Sequence, residues 1–103
     1  MPRLELHPEA ATELEAAVVW YEQRQPGLGG LLLAEMDGCM KRICSAPDLF
    51  SLHAGTVRRC LLRKFPFAVM FVPDVDQVRV LAVMHLRRRP GYWKGREPES
   101  GAR

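Results

Sequence analysis

Between Leu14 and Ile43 apolar residues recur every third or fourth position, and from Val57 that helical spacing gives way to a strand period of two, then to a continuous apolar run. That change of period divides the chain into a helical part and a strand part. The first helix is predicted over 8–25. Leu14, Ala17, Val18 and Tyr21 give it one apolar face, Pro8 suits its first position, and Glu9, Glu13 and Glu15 place negative charge near its positive end. Trp20 lies off that stripe, and Trp20 and Tyr21 read as aromatics packed on the core. Pro26-Gly27 marks a tight turn. The second helix is predicted over 28–45, with Leu32, Met36, Cys39, Met40 and Ile43 on one face, and Ala46-Pro47 ends it. Two amphipathic helices joined so closely form an antiparallel hairpin.

Ahead of the helices, Arg3-Leu4-Glu5-Leu6-His7 alternates and predicts a short strand. After them, Asp48 to Thr56 reads as a loop anchored by Phe50 and Leu52. A strand is predicted from Val57 to Lys64, with Val57, Arg59, Leu61 and Arg63 on one face and Arg58, Cys60, Leu62 and Lys64 on the other. Phe65-Pro66 interrupts it. Phe67 to Val72 is continuously apolar, which predicts a central strand covered on both faces. Pro73 to Gln77 is a hairpin loop, and Val78 to Met84 returns as the last strand. The order β-α-α-β-β-β predicts an α+β fold: an N-terminal helical hairpin packed on a small, mostly antiparallel sheet whose other face stays more open. Residues 1–93 are expected to form one domain, and 94–103 a polar, flexible tail.

Composition adds one asymmetry. At 103 residues, with 48% hydrophobic and 26% charged positions, the chain is large enough for a single core. Residues 1–54 hold four Lys/Arg against eight Asp/Glu, and residues 55–103 hold eleven against four. Twelve of the fifteen cations are arginine, the residue suited to phosphate, carboxylate and stacked contacts. One end of the molecule is therefore expected to steer toward anions. Three cysteines, Cys39, Cys44 and Cys60, cannot all pair within the chain, which suits a reducing cytoplasm. No secretion signal is apparent. The longest apolar run, Phe65 to Pro73, contains two prolines and is too short for a membrane span, so no membrane partner is expected.

The sequence offers little for metal or nucleophile chemistry. Cys39 and Cys44 are five apart on a helix, turned roughly 140° from each other, and His7, His53 and His85 lack ligand spacing. No cofactor is implied: Gly27-Leu28-Gly29-Gly30 lacks the strand and lysine of a phosphate loop. No nucleophile elbow occurs, and nothing local supports a pair made of Cys60 and His85. What remains is cationic. Arg58, Arg59, Arg63 and Lys64 lie on or beside one strand, Arg79 on another, and His85, Arg87, Arg88 and Arg89 at its end, followed by Pro90-Gly91-Tyr92-Trp93. Such a cluster could bind a phosphate backbone with Tyr92 or Trp93 stacking on a base. It could also stabilise a charged transition state, with His85 or Tyr92 moving protons.

The chain resembles the RelE/ParE superfamily, the toxins of bacterial type II toxin–antitoxin modules. The resemblance runs from about Leu4 to Arg96. It is carried by Pro8-Glu9-Ala10 with Glu13-Leu14, Trp20-Tyr21-Glu22, Pro26-Gly27-Leu28-Gly29, Ile43 with Pro47, and Val57-Arg58-Arg59. Arg63-Lys64-Phe65-Pro66-Phe67 and the tail His85-Leu86-Arg87-Arg88-Arg89-Pro90-Gly91-Tyr92-Trp93 complete it. The resemblance implies a cytoplasmic, growth-inhibiting toxin neutralised by a cognate antitoxin in a hetero-oligomer. It implies one of two targets. ParE-like members bind DNA gyrase without catalysis; RelE-like members cleave mRNA on the ribosome without a metal. The Arg-Pro-x-Tyr-Trp ending favours the ParE-like reading. If the chain is an RNase, Arg63, Arg87 and Tyr92 are the candidate catalytic residues, although aligning on Tyr92 puts Leu86 where that branch carries an arginine. Arg58, Arg59, His85, Arg88 and Trp93 are the candidate target-binding residues. A third reading is an inactive homologue or a plain nucleic-acid-binding module.

Overall fold

A computed structural model describes residues 3–97 of the chain. Its elements are β1 (Arg3–Leu6), α1 (Pro8–Arg24), α2 (Leu28–Ser45), β2 (Ser51–Ala54), β3 (Val57–Leu61), β4 (Phe67–Pro73) and β5 (Gln77–His85), with single turns of 3-10 helix at Pro47–Leu49 and Lys94–Arg96. One five-stranded sheet has the order β1-β5-β4-β3-β2; β1 runs parallel to β5 and the other pairs are antiparallel. The α+β architecture expected from the change of period is the one observed.

The helical hairpin follows from local chemistry at its ends. His7 caps α1, its Nδ1 accepting the Glu9 N–H at 3.1 Å, and Pro8 occupies a position where no helical N–H is needed. At the junction, Gly27 has φ 92°, a backbone state that a side chain would strain. The Glu22 carboxylate accepts the N–H of Gly27 at 2.9 Å and of Gly29 at 3.0 Å, satisfying two donors that the start of α2 would otherwise leave unpaired. A Cβ on Gly29 would lie 2.6 Å from the Val18 carbonyl oxygen, so only glycine lets the helices approach this closely.

Leu32, Met36, Cys39, Met40 and Ile43 are all buried, as their spacing predicts. They pack with Val69, Phe71, Val78, Val80 and Val83 to form the core between hairpin and sheet. Tyr21 joins this core edge-on to Phe65 at 5.1 Å. Trp20 does not: it remains 48% exposed, under the Arg24 guanidinium, because it lies off the buried stripe.

Three more expectations are corrected. The segment 48–56 is not a plain loop. It holds a 3-10 turn and β2, which the sequence hides because an edge strand paired only with β3 needs no apolar pattern. Phe50 does anchor it, meeting Phe71 edge-on at 5.7 Å, whereas Leu52 is exposed on that edge. The strand from Val57 stops at Leu61 rather than Lys64.

The third correction concerns the sheet's second face, which is closed rather than open. Val57, Ala68, Met70, Leu81, Ala82 and Met84 form a second core there under Trp93, which is fully buried. A bulge makes this possible: Met70 pairs with Ala82 but Phe71 with Val80, so Leu81 is an extra residue. Leu81 and Ala82 both join the second core, and the alternation of β5 is reset beyond them.

A basic end held by two carboxylates

Strands β3 and β5 end at the same edge of the sheet, where β4 begins: Leu61 pairs with Ala68, and Phe67 with His85. The Leu86 N–H donates to the Pro66 carbonyl at 2.9 Å, tying the turn after β3 to the segment after β5. Topology therefore gathers Arg63, Lys64, His85, Arg87, Arg88 and Arg89 at one end of the molecule. Arg63, Lys64, Arg87, Arg88 and Arg89 are exposed, and their side chains form no ion pair among the described residues. Several exposed cations gathered at one end focus a field that attracts polyanions and acidic surfaces.

Two glutamates on the helices set the geometry of this end. Glu35, in α2, accepts the backbone N–H groups of Arg63 and Lys64, the latter at 3.2 Å from both oxygens. The carboxylate thus spends itself on the main chain of the turn and leaves both cationic side chains free. Beside this turn is a groove of about 720 Å³ whose lining includes the apolar Tyr21, Leu28 and Leu31 and, around Glu35, the cations Arg42, Arg63 and Lys64.

Glu13, in α1, acts on the other segment. Strand β1 pairs with β5 only as far as Val80, so the β5 edge beyond it lacks a strand partner. Side chains take its place. Val83 N–H donates to Glu13 at 3.0 Å, and Arg96 donates to the Leu81 carbonyl at 3.0 Å. Arg96 pairs in turn with Glu13 at 3.0 Å and Glu9 at 3.2 Å. The Glu13 and Arg96 side chains are only 15% and 11% exposed, so removing either one would leave the other's charge buried and poorly compensated. Residues 94–97 are thereby held against the domain; the rest of the expected flexible tail, 98–103, lies outside the described residues.

Tyr92 belongs to this clasp. Its ring lies under the Arg88 guanidinium at 3.8 Å, with that of Arg96 at 5.1 Å. Its hydroxyl is buried beside Glu13 without a well-formed hydrogen bond. Burial, then the neighbouring carboxylate, push its pKa up to about 12 against the opposing charges of Arg88 and Arg96. A phenol held this way stays neutral and faces inward.

The remaining candidates separate. Trp93 leaves the target-binding set: a ring with no exposed area cannot stack on a base. Arg58 is committed to the carbonyl oxygens of Phe50, at 2.6 Å, and Asp48, at 3.4 Å, which holds the segment before β2. Arg59 is partly exposed on the sheet's second face, opposite Met70. His85 is half-buried, edge-on to Phe67 at 5.1 Å, and its Nδ1 accepts the Arg87 N–H at 3.0 Å, so it shapes the turn that presents the arginines. Arg79 faces Glu5 across the β1–β5 pair at 3.9 Å. Arg42, Glu13, Glu35 and Arg96 were missing from the candidates. Glu13 and Glu35 did leave a signal: each sits on an apolar stripe, Glu13 between Ala10 and Ala17 and Glu35 between Leu32 and Cys39.

Among the described residues no group of three or more His, Cys, Asp or Glu is gathered that could hold a metal ion, and no helix is long and apolar enough to cross a membrane. No protein-family model and no curated protein matches the sequence. Among solved structures, the chain is similar to one described as the chromosomal ParDE TA system from P. aeruginosa. The likeness has a TM-score of 0.74 at 18% identity and covers 84% of this chain and 98% of that one. The chain therefore has the α+β fold of a protein from a ParDE system.

Proposed function

We propose that this protein is the toxin of a type II toxin–antitoxin pair, and that it acts as ParE-like toxins do, by binding DNA gyrase rather than by cutting RNA. The likeness to a chain of a ParDE system supports the toxin reading. One observation favours binding over catalysis: the free arginines and lysine are gathered at one end while the Tyr92 hydroxyl is buried in the Glu13–Arg96 clasp. Endonucleases of the RelE kind often use a C-terminal tyrosine, which has to reach the substrate. His85, the other proton-transfer candidate, has one ring nitrogen engaged by the backbone and its ring against Phe67. The basic end then serves as an electrostatic contact for gyrase and its bound DNA.

The antitoxin has a surface to cover. Leu31 and Leu33 stand 63% and 48% exposed on α2. Grooves of about 720 and 570 Å³ flank that helix, the second lined by Leu4, Leu6, Leu14 and Met36. Apolar grooves beside a helix accept an amphipathic partner segment. The cognate antitoxin seated there gives the hetero-oligomer expected of such pairs.

The test is tightly controlled induction of the chain alone in bacteria, with RNA integrity and nucleoid morphology read in the same culture. Growth arrest with intact messages and filamentation is the expected result. Arrest with cleaved messages would transfer the assignment to the ribosome-dependent endonuclease, which would use the same Arg63 and Arg87. Normal growth with folded protein present would contradict both.

A further inference from the structure

Two thiols that the basic end does not use lie against each other inside the helix-facing core. Cys39, in the middle of α2, and Cys60, on β3, have their sulfurs 2.6 Å apart. Sulfurs brought into direct contact from two different elements are the arrangement from which a disulfide bond forms. Both are buried, at 0% and 3% exposed. Cys44 lies in the last turn of α2 and has no such partner.

The two sulfurs are not equivalent. Arg42, one turn further along α2, brings its Nη2 to 4.0 Å from the Cys60 sulfur. The contact from Cys39 and then Arg42 favour the Cys60 thiolate, pulling its pKa below the ordinary thiol range against the effect of burial. The same contact, with burial, holds the Cys39 thiol well above its ordinary range. Arg42 beside Cys60 makes that sulfur the better placed of the two to react as a thiolate. Gly38 and Arg42, which flank Cys39, also line the groove beside Arg63, so the pair lies just beneath a surface opening that suits a small oxidant better than a bulky one.

We propose that Cys39 and Cys60 form a reversible dithiol–disulfide couple, oxidised by hydrogen peroxide, that pins α2 to β3 beneath the groove. The Cys60 thiolate attacks one peroxide oxygen. The O–O bond breaks, and hydroxide leaves and is protonated to water, giving the Cys60 sulfenic acid. The Cys39 sulfur then attacks the Cys60 sulfur. The S–O bond breaks, the hydroxyl leaves with the Cys39 proton as a second water, and the disulfide forms. Two thiols are oxidised by two electrons and one peroxide is reduced to two waters. The new bond closes a loop of about twenty residues, which restricts the unfolded chain and stiffens the wall that carries Arg42.

The experiment treats the full-length chain with hydrogen peroxide, quenches with catalase, unfolds it and alkylates the remaining thiols. Intact mass and peptide mapping follow. The expected result is the loss of two hydrogens, alkylation of Cys44 alone, a cross-linked peptide pair containing Cys39 and Cys60, reversal by dithiothreitol, and a melting temperature raised by at least about 5 °C. Cys44→Ser should cross-link as the wild type does. Cys39→Ser should stop at a Cys60 sulfenic acid that dimedone traps. Three alkylated thiols, a bridge that includes Cys44, a bridge between molecules, or overoxidation of Cys60 without a cross-link would each overturn the proposal.

Discussion

Glu13→Ala removes the carboxylate that completes the unpaired edge of β5, and the structure gives the cost. The Val83 N–H, bonded to Glu13 at 3.0 Å, loses its acceptor in a half-buried setting, at about 1–3 kcal/mol. Arg96 loses the better-buried of its two carboxylate partners. Breaking a buried pair costs about 3–5 kcal/mol, but Arg96 keeps Glu9 and the Leu81 carbonyl, so only part of that applies. The two costs overlap, and the expected total is about 3 kcal/mol, a large share of the roughly 5–15 kcal/mol that a domain has. Glu13→Gln keeps an acceptor for Val83 and loses only the charge, so it should cost about 1–2 kcal/mol. The assay is urea unfolding followed by far-ultraviolet circular dichroism, with the midpoint read at constant slope. A double-mutant cycle with Arg96→Met should show a coupling of at least about 1 kcal/mol. Glu13→Ala costing less than about 1 kcal/mol at unchanged slope, or a cycle with no coupling, would refute the clasp.

Other perturbations test neighbouring parts of the account. Tyr92→Phe should leave growth inhibition intact, because the hydroxyl faces inward; its loss in a folded variant would return Tyr92 to the catalytic set. Folding favours the neutral Tyr92 phenol, its pKa raised from 10.0 to about 12. The stabilisation it brings is therefore present below pH 10 and is lost as the pH rises toward 12, and Tyr92→Phe should flatten that part of the stability profile. Glu35→Ala should speed amide hydrogen exchange at Arg63 and Lys64 and cost about 1–3 kcal/mol, because it strips the acceptor from both N–H groups; unchanged exchange would show that the turn holds itself. Trp93→Ala should cost about 3–5 kcal/mol by emptying the second core, measured by the same urea titration.

Much of this architecture was legible because single residues left strong local signals. Pro8, Pro26-Gly27 and Pro47 bracket the two helices, and the three- and four-residue spacing from Leu32 to Ile43 marks the buried face of α2. The uninterrupted apolar run of β4 announced a strand covered on both sides, and it is the middle strand of the sheet. β2 was illegible because its Ser-Leu-His-Ala sequence pairs on one side only. The second core was hidden for a different reason. Its lid, Trp93, is separated from the strands by polar residues, and the bulge at Leu81 shifts the alternation on which a face assignment depends. For the basic end, the cations were visible in sequence, but which ones are free was not. Arg58 and Arg96 look like Arg63 and Arg87 until their partners, two carbonyls and two glutamates, are brought beside them by the fold.

The central claim is that the exposed arginines and lysine at the end of β3 and β5 contact a target without cutting it. The most direct measurement is DNA supercoiling by purified gyrase, titrated with the purified chain and with an Arg63→Glu, Arg87→Glu, Arg89→Glu variant shown by circular dichroism to be folded. The wild-type chain should inhibit supercoiling or trap cleaved DNA with no ribosome present, and the variant should do neither. No effect of the wild-type chain at large molar excess, or equal inhibition by the variant, would contradict the claim.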